Sequence, residues 1–309
     1  MKHVVISLLN FNGKKNTLEC LESLKNIKKD NFKLTIVVVD NASTDGSAES
    51  IRHYVSSSKY DGVKIIENKR NLGFSGGHNM TIKYALENSA DYILILNNDT
   101  YVDKNFLTGL LSVAERNSNV GILIPKIYFA PEFEYHKNRY SENEIGKVLW
   151  YAGGKMDWAN VIGYNRGVDA VDKGQFDKIE ETEIATGCCM LLTKEAIDRV
   201  GMFDERYYLY YEDADLSMRV KKKGFKIVYV FGSIIWHKNA GSAGGSGSVL
   251  QDYYITRNRL LFGFRYAPIR SKLALFRESL FLFLRGRQWQ KRGVMDFYLG
   301  RLGRGSYNV

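Results

Sequence analysis

The sequence lacks any apolar run close to the roughly 20 residues that a helix needs to cross a bilayer, which argues against an integral membrane protein. Cysteine is scarce as well: Cys20, Cys188 and Cys189 are an odd number without CxxC spacing, so we expect free thiols in a reducing cytoplasm. Residues 1–13 hold a short apolar run without a small-residue cleavage site, which predicts a first β-strand and not a signal peptide. Apolar residues make up 45% of the chain and aromatic residues 13%, which argues against disorder.

Net charge is nearly absent from most of the chain. Of the formal charge of +10, residues 251–309 carry +9, with 12 basic and 3 acidic side chains. We therefore predict a near-neutral body followed by a strongly basic tail. Such a tail is compatible with nucleic acid, but no nucleic-acid recognition motif accompanies it, so we expect no nucleic-acid partner.

Short apolar runs alternate with helical patterns in the first hundred residues. This alternation predicts a parallel sheet covered by helices, which binds its ligands at the carboxyl ends of the strands. The predicted strands are residues 4–9, 34–39, 63–67 and 92–96, and the predicted helices are residues 17–27, 43–54 and 75–88.

The patterns are less regular further along. We predict irregular hairpins for residues from about 130 to 183, where helical periodicity is poor. Residues 240–248 are rich in Gly and Ser, which predicts a mobile segment. That segment is either a lid over a ligand or a passive linker. Regular elements are predicted for residues 187–192 (strand), 194–200 (helix), 211–223 (helix) and 226–229 (strand).

Three predicted strands end in polar clusters. Asn10 and Asn12 follow the first, and Asp40 with Asn41 follow the second. A carboxylate at such a position can bind a nucleobase or ribose, although Asp40 taken alone is more typical of a turn. The third cluster is Asn97-Asn98-Asp99, where one carboxylate can hold a divalent cation or merely end a strand.

Residues 71–79 form a Gly-rich turn that leads into a helix. Exposed N–H groups there can bind a diphosphate, or the turn is only a tight connection; neither the Rossmann fingerprint nor the Walker loop is present. Glu212 and Asp213 begin another helix, where crowded carboxylates can supply a general base or merely complement the helix dipole. Asp215 suits a structural role, and His237 is either a metal ligand or incidental.

Together these blocks resemble the family 2 glycosyltransferases, in particular the rhamnosyltransferase-like branch. The resemblance covers roughly residues 1–262. The matching blocks are VVISLLNFNG, VVVDNASTDGS, NLGFSGGHN, LNNDT, the stretch from TGCCMLL to FKIVYV, WHK and YYITRNRLLF.

The resemblance implies a GT-A fold, with a mixed and mainly parallel sheet, and inverting transfer of a sugar from a nucleotide-diphosphate donor. It implies a domain over residues 1–250, of which 1–100 bind the nucleotide and 101–250 bind the acceptor and catalyse, followed by a helical basic tail at 251–309. Asp213 would be the base, with Glu212 as its alternative, and Asp99 and His237 would hold Mg²⁺ or Mn²⁺. Asn97 replaces the first Asp of the family's DxD motif, which leaves one carboxylate there. The residues expected at the donor are Asn10, Asn12, Asp40, Asn41, Asn71, Gly73, Phe74, Gly77, Asn79, Asn97, Asn98 and Arg257.

The expected donor is dTDP-rhamnose or a UDP-sugar, and the expected acceptor is a glycan or a lipid-linked glycan of the cell envelope. Two other functions remain open: a sugar-nucleotide nucleotidyltransferase, which would normally carry a Gly-rich loop with Arg and Lys after the first strand, and a catalytically weak scaffold in polysaccharide assembly. Arg257 and Arg259 would contact the diphosphate or acceptor, or form a solvated helix face.

The basic tail also carries an amphipathic pattern. This pattern suits a helix that lies on an anionic membrane, which predicts a cytoplasmic protein at the inner membrane face. A core-packing helix or a homodimer contact through the tail is nearly as compatible with it. The apolar members are Leu273, Phe276, Leu280, Phe283 and Leu284, and the polar members near them are Arg277, Arg285, Arg287, Lys291 and Arg292, beside Trp289.

Overall fold

A computed structural model describes residues 1–58, 60–136, 138–239 and 247–307. In chain order, its strands are β1 Lys2–Asn10, β2 Phe32–Asp40, β3 Val63–Glu67, β4 Tyr92–Asn97, β5 Thr100–Val102, β6 Val120–Phe129, β7 Leu149–Tyr151, β8 Gly154–Asp157, β9 Ile162–Asn165, β10 Glu180–Glu181, β11 Cys189–Thr193 and β12 Lys226–His237. Its helices are α1 Lys14–Lys25, α2 Ser47–Ser57, α3 Gly73–Glu87, α4 Phe106–Arg116, α5 Lys194–Val200, α6 Glu212–Lys222, α7 Val249–Tyr266, α8 Ile269–Arg285 and α9 Gln288–Tyr298.

The main sheet has the strand order β10-β12-β6-β11-β4-β1-β2-β3, with β5 paired to β12 and β7 to β6. β1 runs parallel to β2 and β4, β2 runs parallel to β3, and β6 runs parallel to β12. β11 is antiparallel to both of its neighbours. The mixed, mainly parallel sheet expected from the sequence is therefore confirmed.

The first half of the sheet follows the predicted pattern, with shifted helix starts. α2 begins at Ser47 and not at residue 43, because the residues before it are bound elsewhere. The Ser43 amide donates to Asp40 Oδ1 at 2.9 Å, and the Thr44 amide donates to Asn12 Oδ1 at 2.8 Å. Gly46 then takes a left-handed φ of 77° at the helix start.

The structure adds elements between residues 100 and 129, where the sequence pattern predicts none. β5, α4 and β6 lie there, and every residue of β6 is buried. β12 is also longer than the predicted strand at 226–229. A register shift between Val230 and Ile234 lets it continue to His237, which is its last residue. In the region predicted as hairpins, β8 and β9 form an antiparallel pair.

The three C-terminal helices are packed onto the body, although the sequence pattern predicts a tail from residue 251. α7 begins at Val249 and buries Tyr253, Tyr254 and Phe262. A second apolar cluster joins α7 and α8 to residues of the 150s and to α6; its buried members are Met156, Val161, Tyr207, Ala214, Leu260, Phe262, Ala267, Leu275 and Val294. A separate unit for residues 251–309 stays a prediction.

Trp289 and Arg287, which the sequence pattern places beside a membrane-facing helix, contact other residues of the protein. The Trp289 ring packs against Tyr253 and Tyr307, with ring centroids 5.9 and 5.0 Å away. Arg287 Nε donates to Asp252 Oδ2 at 2.5 Å. None of the helices in the described ranges is both long and apolar enough to span a bilayer.

Candidate active site

The polar strand ends converge at one edge of the main sheet. In the parallel ladders Asn10 is level with Asp40, and Leu9 is level with both Val39 and Asn97. Because side chains at the carboxyl ends of parallel strands share one edge, clusters far apart in sequence become neighbours. Asn10, Asp40 and Asn97 therefore lie at the same edge.

Asp40 is the centre of a buried hydrogen-bond network at this edge. Its Oδ2 accepts from Asn10 Nδ2 at 2.7 Å, and its Oδ1 accepts from the Ser43 amide. Asn10 Oδ1 in turn accepts from Thr17 Oγ1 at 2.7 Å. Asn12 is exposed and binds the same loop through the Thr44 amide. The network fixes the Asp40 carboxylate in one orientation, as recognition of a planar group requires.

Asn41 ties the Gly-rich turn to the end of β2. Its Nδ2 donates to Asn71 Oδ1 at 2.8 Å and to the Gly73 carbonyl at 3.1 Å, and its Oδ1 accepts from the Leu72 amide at 3.0 Å. Gly73 has φ +72°, and a Cβ there would lie 2.5 Å from the Tyr208 carbonyl oxygen. Only glycine fits this approach, which brings the turn against the segment that precedes α6.

The other members of the turn have different surroundings. A Cβ on Gly77 would lie 2.3 Å from Leu9 Cδ1, so this glycine lets α3 pack closely on β1. Asn79 is buried and donates to the Phe203 carbonyl and to Glu205 Oε1, each at 3.0 Å. These contacts give Gly77 and Asn79 packing roles. Phe74 is half-buried beside Gly187, whose Cβ would meet the Phe74 ring at 2.8 Å.

The cluster after β4 is held by neighbouring elements. The Asn97 amide donates to the Cys188 carbonyl at 2.8 Å, and Asn98 Nδ2 donates to Thr17 Oγ1 at 2.8 Å. These bonds fix the backbone that presents Asp99. The three cysteines are buried and free, as expected from their spacing.

Asp99 and His237 meet although they are 138 positions apart in the chain. Antiparallel pairing of β12 with β5 sets His237 opposite Thr100, next to Asp99. His237 Nε2 lies 3.2 Å from Asp99 Oδ1, and both side chains are buried. Within the described ranges His237 Nδ1 has no hydrogen-bond partner, and no three or more His, Cys, Asp or Glu side chains form a metal cluster. A carboxylate and an imidazole with no third protein ligand suit Mg²⁺ or Mn²⁺ that also binds phosphates.

Asp213 and Glu212 are neighbours with different surroundings. Asp213 is half-buried, its Oδ2 accepts from the Gly187 amide at 2.9 Å, and its Oδ1 accepts from the Ala214 amide at 2.7 Å. Burial raises the pKa of Asp213, although these two bonds lower it in part. Glu212 is buried, and burial together with the charge of Asp213 raises its pKa well above the usual value. Asp213 is thus the more accessible carboxylate.

A strained loop leads into this carboxylate pair. Tyr208, Tyr210 and Tyr211 all have left-handed φ angles, of 66°, 69° and 71°. Such angles are costly for residues other than glycine and persist only where the surroundings impose them. Asn258 of α7 imposes them here: its Nδ2 donates to the carbonyls of Tyr207, Leu209 and Tyr210 at 2.8, 2.7 and 2.9 Å.

Arg257 is the predicted donor contact that the structure does not bring to the site. Its side chain is fully buried, and it donates to the carbonyls of Arg206, Tyr207 and Gly303 at 3.2, 3.0 and 2.7 Å. These bonds hold the backbone just before α6 together with the C-terminal segment. Arg259 binds the Asn160 carbonyl and Glu278, each at 2.7 Å.

Three site residues escape sequence reasoning. Trp150 contacts the His237 ring edge-on, with ring centroids 4.6 Å apart, but lies in a region without a regular pattern. The Gly187 amide carries no side-chain signal. Asn258 stands in the TRNR block, whose arginines attract attention first. The predicted lid at 240–248 lies outside the described residues, except for Gly247 and Ser248.

Known proteins match this chain in sequence and in fold. The model of the family described as "Glycosyl transferase family 2" matches residues 4–201. An N-acetylglucosaminyl-diphospho-decaprenol L-rhamnosyltransferase of Mycobacterium tuberculosis is 27% identical over 220 residues, which cover 68% of this chain and 68% of that protein.

Two solved structures have related folds. The mannosyltransferase PcManGT from Pyrobaculum calidifontis, in complex with GDP-Man and Mn²⁺, has a TM-score of 0.57 at 14% identity, covering 99% of this chain and 76% of that one. GalNAc-T7 with UDP, GalNAc and Mn²⁺ has a TM-score of 0.61 at 15% identity, covering 90% of this chain and 54% of that one. The architecture is therefore the GT-A fold expected from the sequence.

Proposed function

The chain belongs to the family 2 glycosyltransferases, and we propose that it is a metal-dependent, inverting enzyme that transfers a sugar from a nucleotide-diphosphate donor to a hydroxyl group of a glycan. The observation that carries this proposal is the convergence of three sets of residues at one edge of the sheet. They are the Asp40 network, the Asp99–His237 pair and the half-buried Asp213.

The donor would bind across the ends of β1 and β2. Asp40, held by Asn10 and the Ser43 amide, would accept hydrogen bonds from the base. The nucleotide would also be bordered by Asn12, which is exposed and accepts from the Thr44 amide, and by the Gly-rich turn that Asn41 anchors. These assignments rest on the position of each group at the sheet edge and on the fixed orientation of the carboxylate.

Asp99 and His237 would hold a divalent cation beside the donor diphosphate. Both solved structures with related folds are described with Mn²⁺, which supports the proposal of a divalent metal here as well. When bound, such an ion neutralises the charge that develops on the leaving nucleoside diphosphate. Asn97 in place of a second carboxylate agrees with a labile metal that is completed by the phosphates.

Asp213 would take the proton from the acceptor hydroxyl. A general base works best when its pKa lies near the working pH, and burial raises the pKa of Asp213 in that direction. The Gly187 and Ala214 amides orient the carboxylate. Direct displacement needs one base on the acceptor face and no covalent carboxylate, which agrees with a half-buried Asp213 beside a buried Glu212.

The donor and acceptor are proposed from the named relative. The Mycobacterium tuberculosis protein is an L-rhamnosyltransferase of a diphospho-decaprenol glycan. We therefore propose dTDP-rhamnose, or else a UDP-sugar, as donor and a lipid-linked glycan of the cell envelope as acceptor. The reaction would then take place at the cytoplasmic face of the membrane.

A donor screen tests the proposal. The purified protein is incubated with dTDP-rhamnose or UDP-sugars, with Mn²⁺ or Mg²⁺, and with or without a polyprenyl-diphosphate-linked acceptor, while nucleoside diphosphate release is measured. We expect release that requires acceptor and is abolished by excess EDTA. The proposal would be contradicted if no donor led to nucleotide release and no donor raised the melting temperature of the protein.

A further inference from the structure

Helix α8 carries an apolar stripe that faces away from the protein. All of its members except Phe281 lie on one face, because they recur at helical intervals. A contiguous exposed apolar surface of this kind marks an interaction site, whereas single exposed apolar residues do not. The seven exposed side chains, each between 45% and 70% exposed, are Ile269, Leu273, Phe276, Leu280, Phe281, Phe283 and Leu284.

The opposite face of α8 is anchored to the body. Ser271, Leu275 and Ser279 are buried, and Ser279 Oγ lies 2.8 Å from the hydroxyl of Tyr298 on α9. Leu275 belongs to the same packed cluster as Ala214. The outer stripe is therefore the free side of a well-packed helix, and its position is fixed relative to α6.

Cations border the stripe on both sides. Since an α-helix advances by about 100° per residue, Lys272 falls on one side of the stripe and Arg270 and Arg277 fall on the other. Within the described ranges, these three side chains and Arg285 form no ion pair with a carboxylate. The only acidic residue of α8, Glu278, already accepts from Arg259 at 2.7 Å.

We infer that this outer face of α8 is a docking surface for an anionic lipid bilayer. Apolar side chains that enter the acyl boundary and bordering cations that meet anionic headgroups are the two features that such a helix requires. A second copy of the chain fits less well, because a symmetric contact through the stripe would bring unpaired cations together, and like charges across an interface are unfavourable.

The role of this surface rests on the proposed function, because a lipid-linked acceptor is confined to a membrane and an enzyme that acts on it has to reach that membrane. Asp213 precedes Ala214, which packs in one cluster with Leu275 of α8. Docking through α8 would thereby hold the proposed base at a set distance from the bilayer. Membrane binding itself needs neither donor nor turnover and can be measured separately.

Vesicle sedimentation of the full chain tests the inference. With vesicles of phosphatidylglycerol and phosphatidylcholine we expect most of the protein to pellet, and with pure phosphatidylcholine or at 0.5 M NaCl we expect little to pellet. The double variant Leu273→Glu/Leu280→Glu should lower the bound fraction at least tenfold. The control Phe133→Glu/Ile179→Glu changes two exposed apolar residues elsewhere and should pellet like the unmodified chain.

Charge is tested with a second matched pair. Lys272→Gln/Arg277→Gln should weaken binding to anionic vesicles several-fold, whereas Lys83→Gln/Arg116→Gln removes two exposed cations from other helices and should not. Melting temperatures and circular dichroism verify that each variant is folded.

Two results would overturn the inference. One is pelleting of the folded stripe variant as efficiently as the unmodified chain. The other is that the unmodified chain does not bind anionic vesicles at all. If analytical ultracentrifugation then shows a dimer that the stripe variant dissociates, the outer face of α8 would belong to a contact with a second copy. Vesicle binding without nucleotide release from any donor would instead leave the surface standing and remove the proposed function.

Discussion

Asn258 Nδ2 donates to the carbonyl oxygen of Tyr210 at 2.9 Å, and this bond fixes the backbone two residues before Glu212. Asn258 lies 48 residues further along the chain, on α7. Because Tyr208, Tyr210 and Tyr211 have unfavourable φ angles, the loop needs an external partner to keep its shape. The C-terminal helices thus help to position the proposed base.

Replacement of Asn258 tests this relationship. We expect Asn258→Ala to lower kcat at least tenfold while the KM for the donor changes little, because the loop before Asp213 relaxes whereas the donor contacts at β1 and β2 persist. Each buried carbonyl that loses its donor costs about 1–3 kcal/mol, so the melting temperature should also fall. Steady-state kinetics and thermal unfolding measure the two effects.

Asn26→Ala is the control, since Asn26 also donates its side-chain amide to a backbone carbonyl, that of Glu22, but at the exposed C-terminal end of α1. Asn26→Ala should leave kcat and the KM for the donor unchanged. A parallel loss of kcat and donor affinity in Asn258→Ala would show that the whole site depends on this residue and would contradict a role confined to the loop.

Removal of the proposed base should separate binding from turnover. We expect Asp213→Asn to bind the donor with unchanged affinity and to lose about 10²–10⁴-fold in kcat, the usual contribution of a positioned base. The activity of the unmodified enzyme should fall at acid pH, with an apparent pKa above that of an ordinary aspartate, because burial raises the pKa of Asp213. The residual activity of the variant should lack this acid limb.

Calorimetry with the donor and kinetics between pH 4.5 and 8 provide the measurements. Near-normal turnover of Asp213→Asn would move the base to Glu212 or to another group. A lost donor affinity would instead show that Asp213 contacts the nucleotide-sugar in the ground state.

Metal dependence should follow from the Asp99–His237 pair. We expect excess EDTA to abolish nucleotide release and Mn²⁺ to restore it. His237→Ala should raise the Mn²⁺ concentration for half-maximal activity by about tenfold or more, since loss of groups behind metal ligands already costs about 10–100-fold. Titration of activity with Mn²⁺ measures this shift.

His136→Ala is the matched control, because His136 is exposed and lies beside Asp169, whereas His237 is the histidine beside Asp99. It should leave the Mn²⁺ requirement unchanged. Full activity in excess EDTA would refute metal dependence altogether.

Glu212 should make stability depend on pH. Its pKa is raised well above the usual value in the folded state, so the folded protein retains a proton that the unfolded chain releases. Stability from this group is fully present below the unfolded pKa, about 4.3, and is lost as pH rises toward the folded pKa, by about 1.4 kcal/mol per pH unit. Glu212→Gln removes the titrating group.

We therefore expect the melting temperature of Glu212→Gln relative to the unmodified chain to rise as the pH increases above the unfolded pKa of Glu212. In the unmodified protein Glu212 Oε2 has no hydrogen-bond partner within the described ranges, so burial of the amide there carries a cost, but this cost is the same at every pH. Glu205→Gln, the same change at an exposed glutamate in the loop before α6, serves as the control. A difference that is constant with pH would contradict the proposed proton uptake.

Much of the fold could be predicted from local pattern. The alternating strands and helices of the first hundred residues appear within a few residues of their predicted bounds, because strand and helix periodicity is encoded in neighbouring side chains. β6 was not predictable in the same way. It is buried on both faces, so its side chains show no alternation that distinguishes a strand from a buried helix, and Pro125 and Lys126 interrupt its apolar pattern.

The sequence by itself determined the order of the polar strand ends and of the Glu212-Asp213 pair, because these lie within short contiguous motifs. Only the tertiary structure decided which of their members are accessible and what each one contacts. It set His237 beside Asp99, buried Glu212 while leaving Asp213 at the edge, and turned Arg257 inward to backbone carbonyls. It also left the stripe of α8 exposed. Burial and pairing depend on residues from distant segments, which a local pattern does not contain.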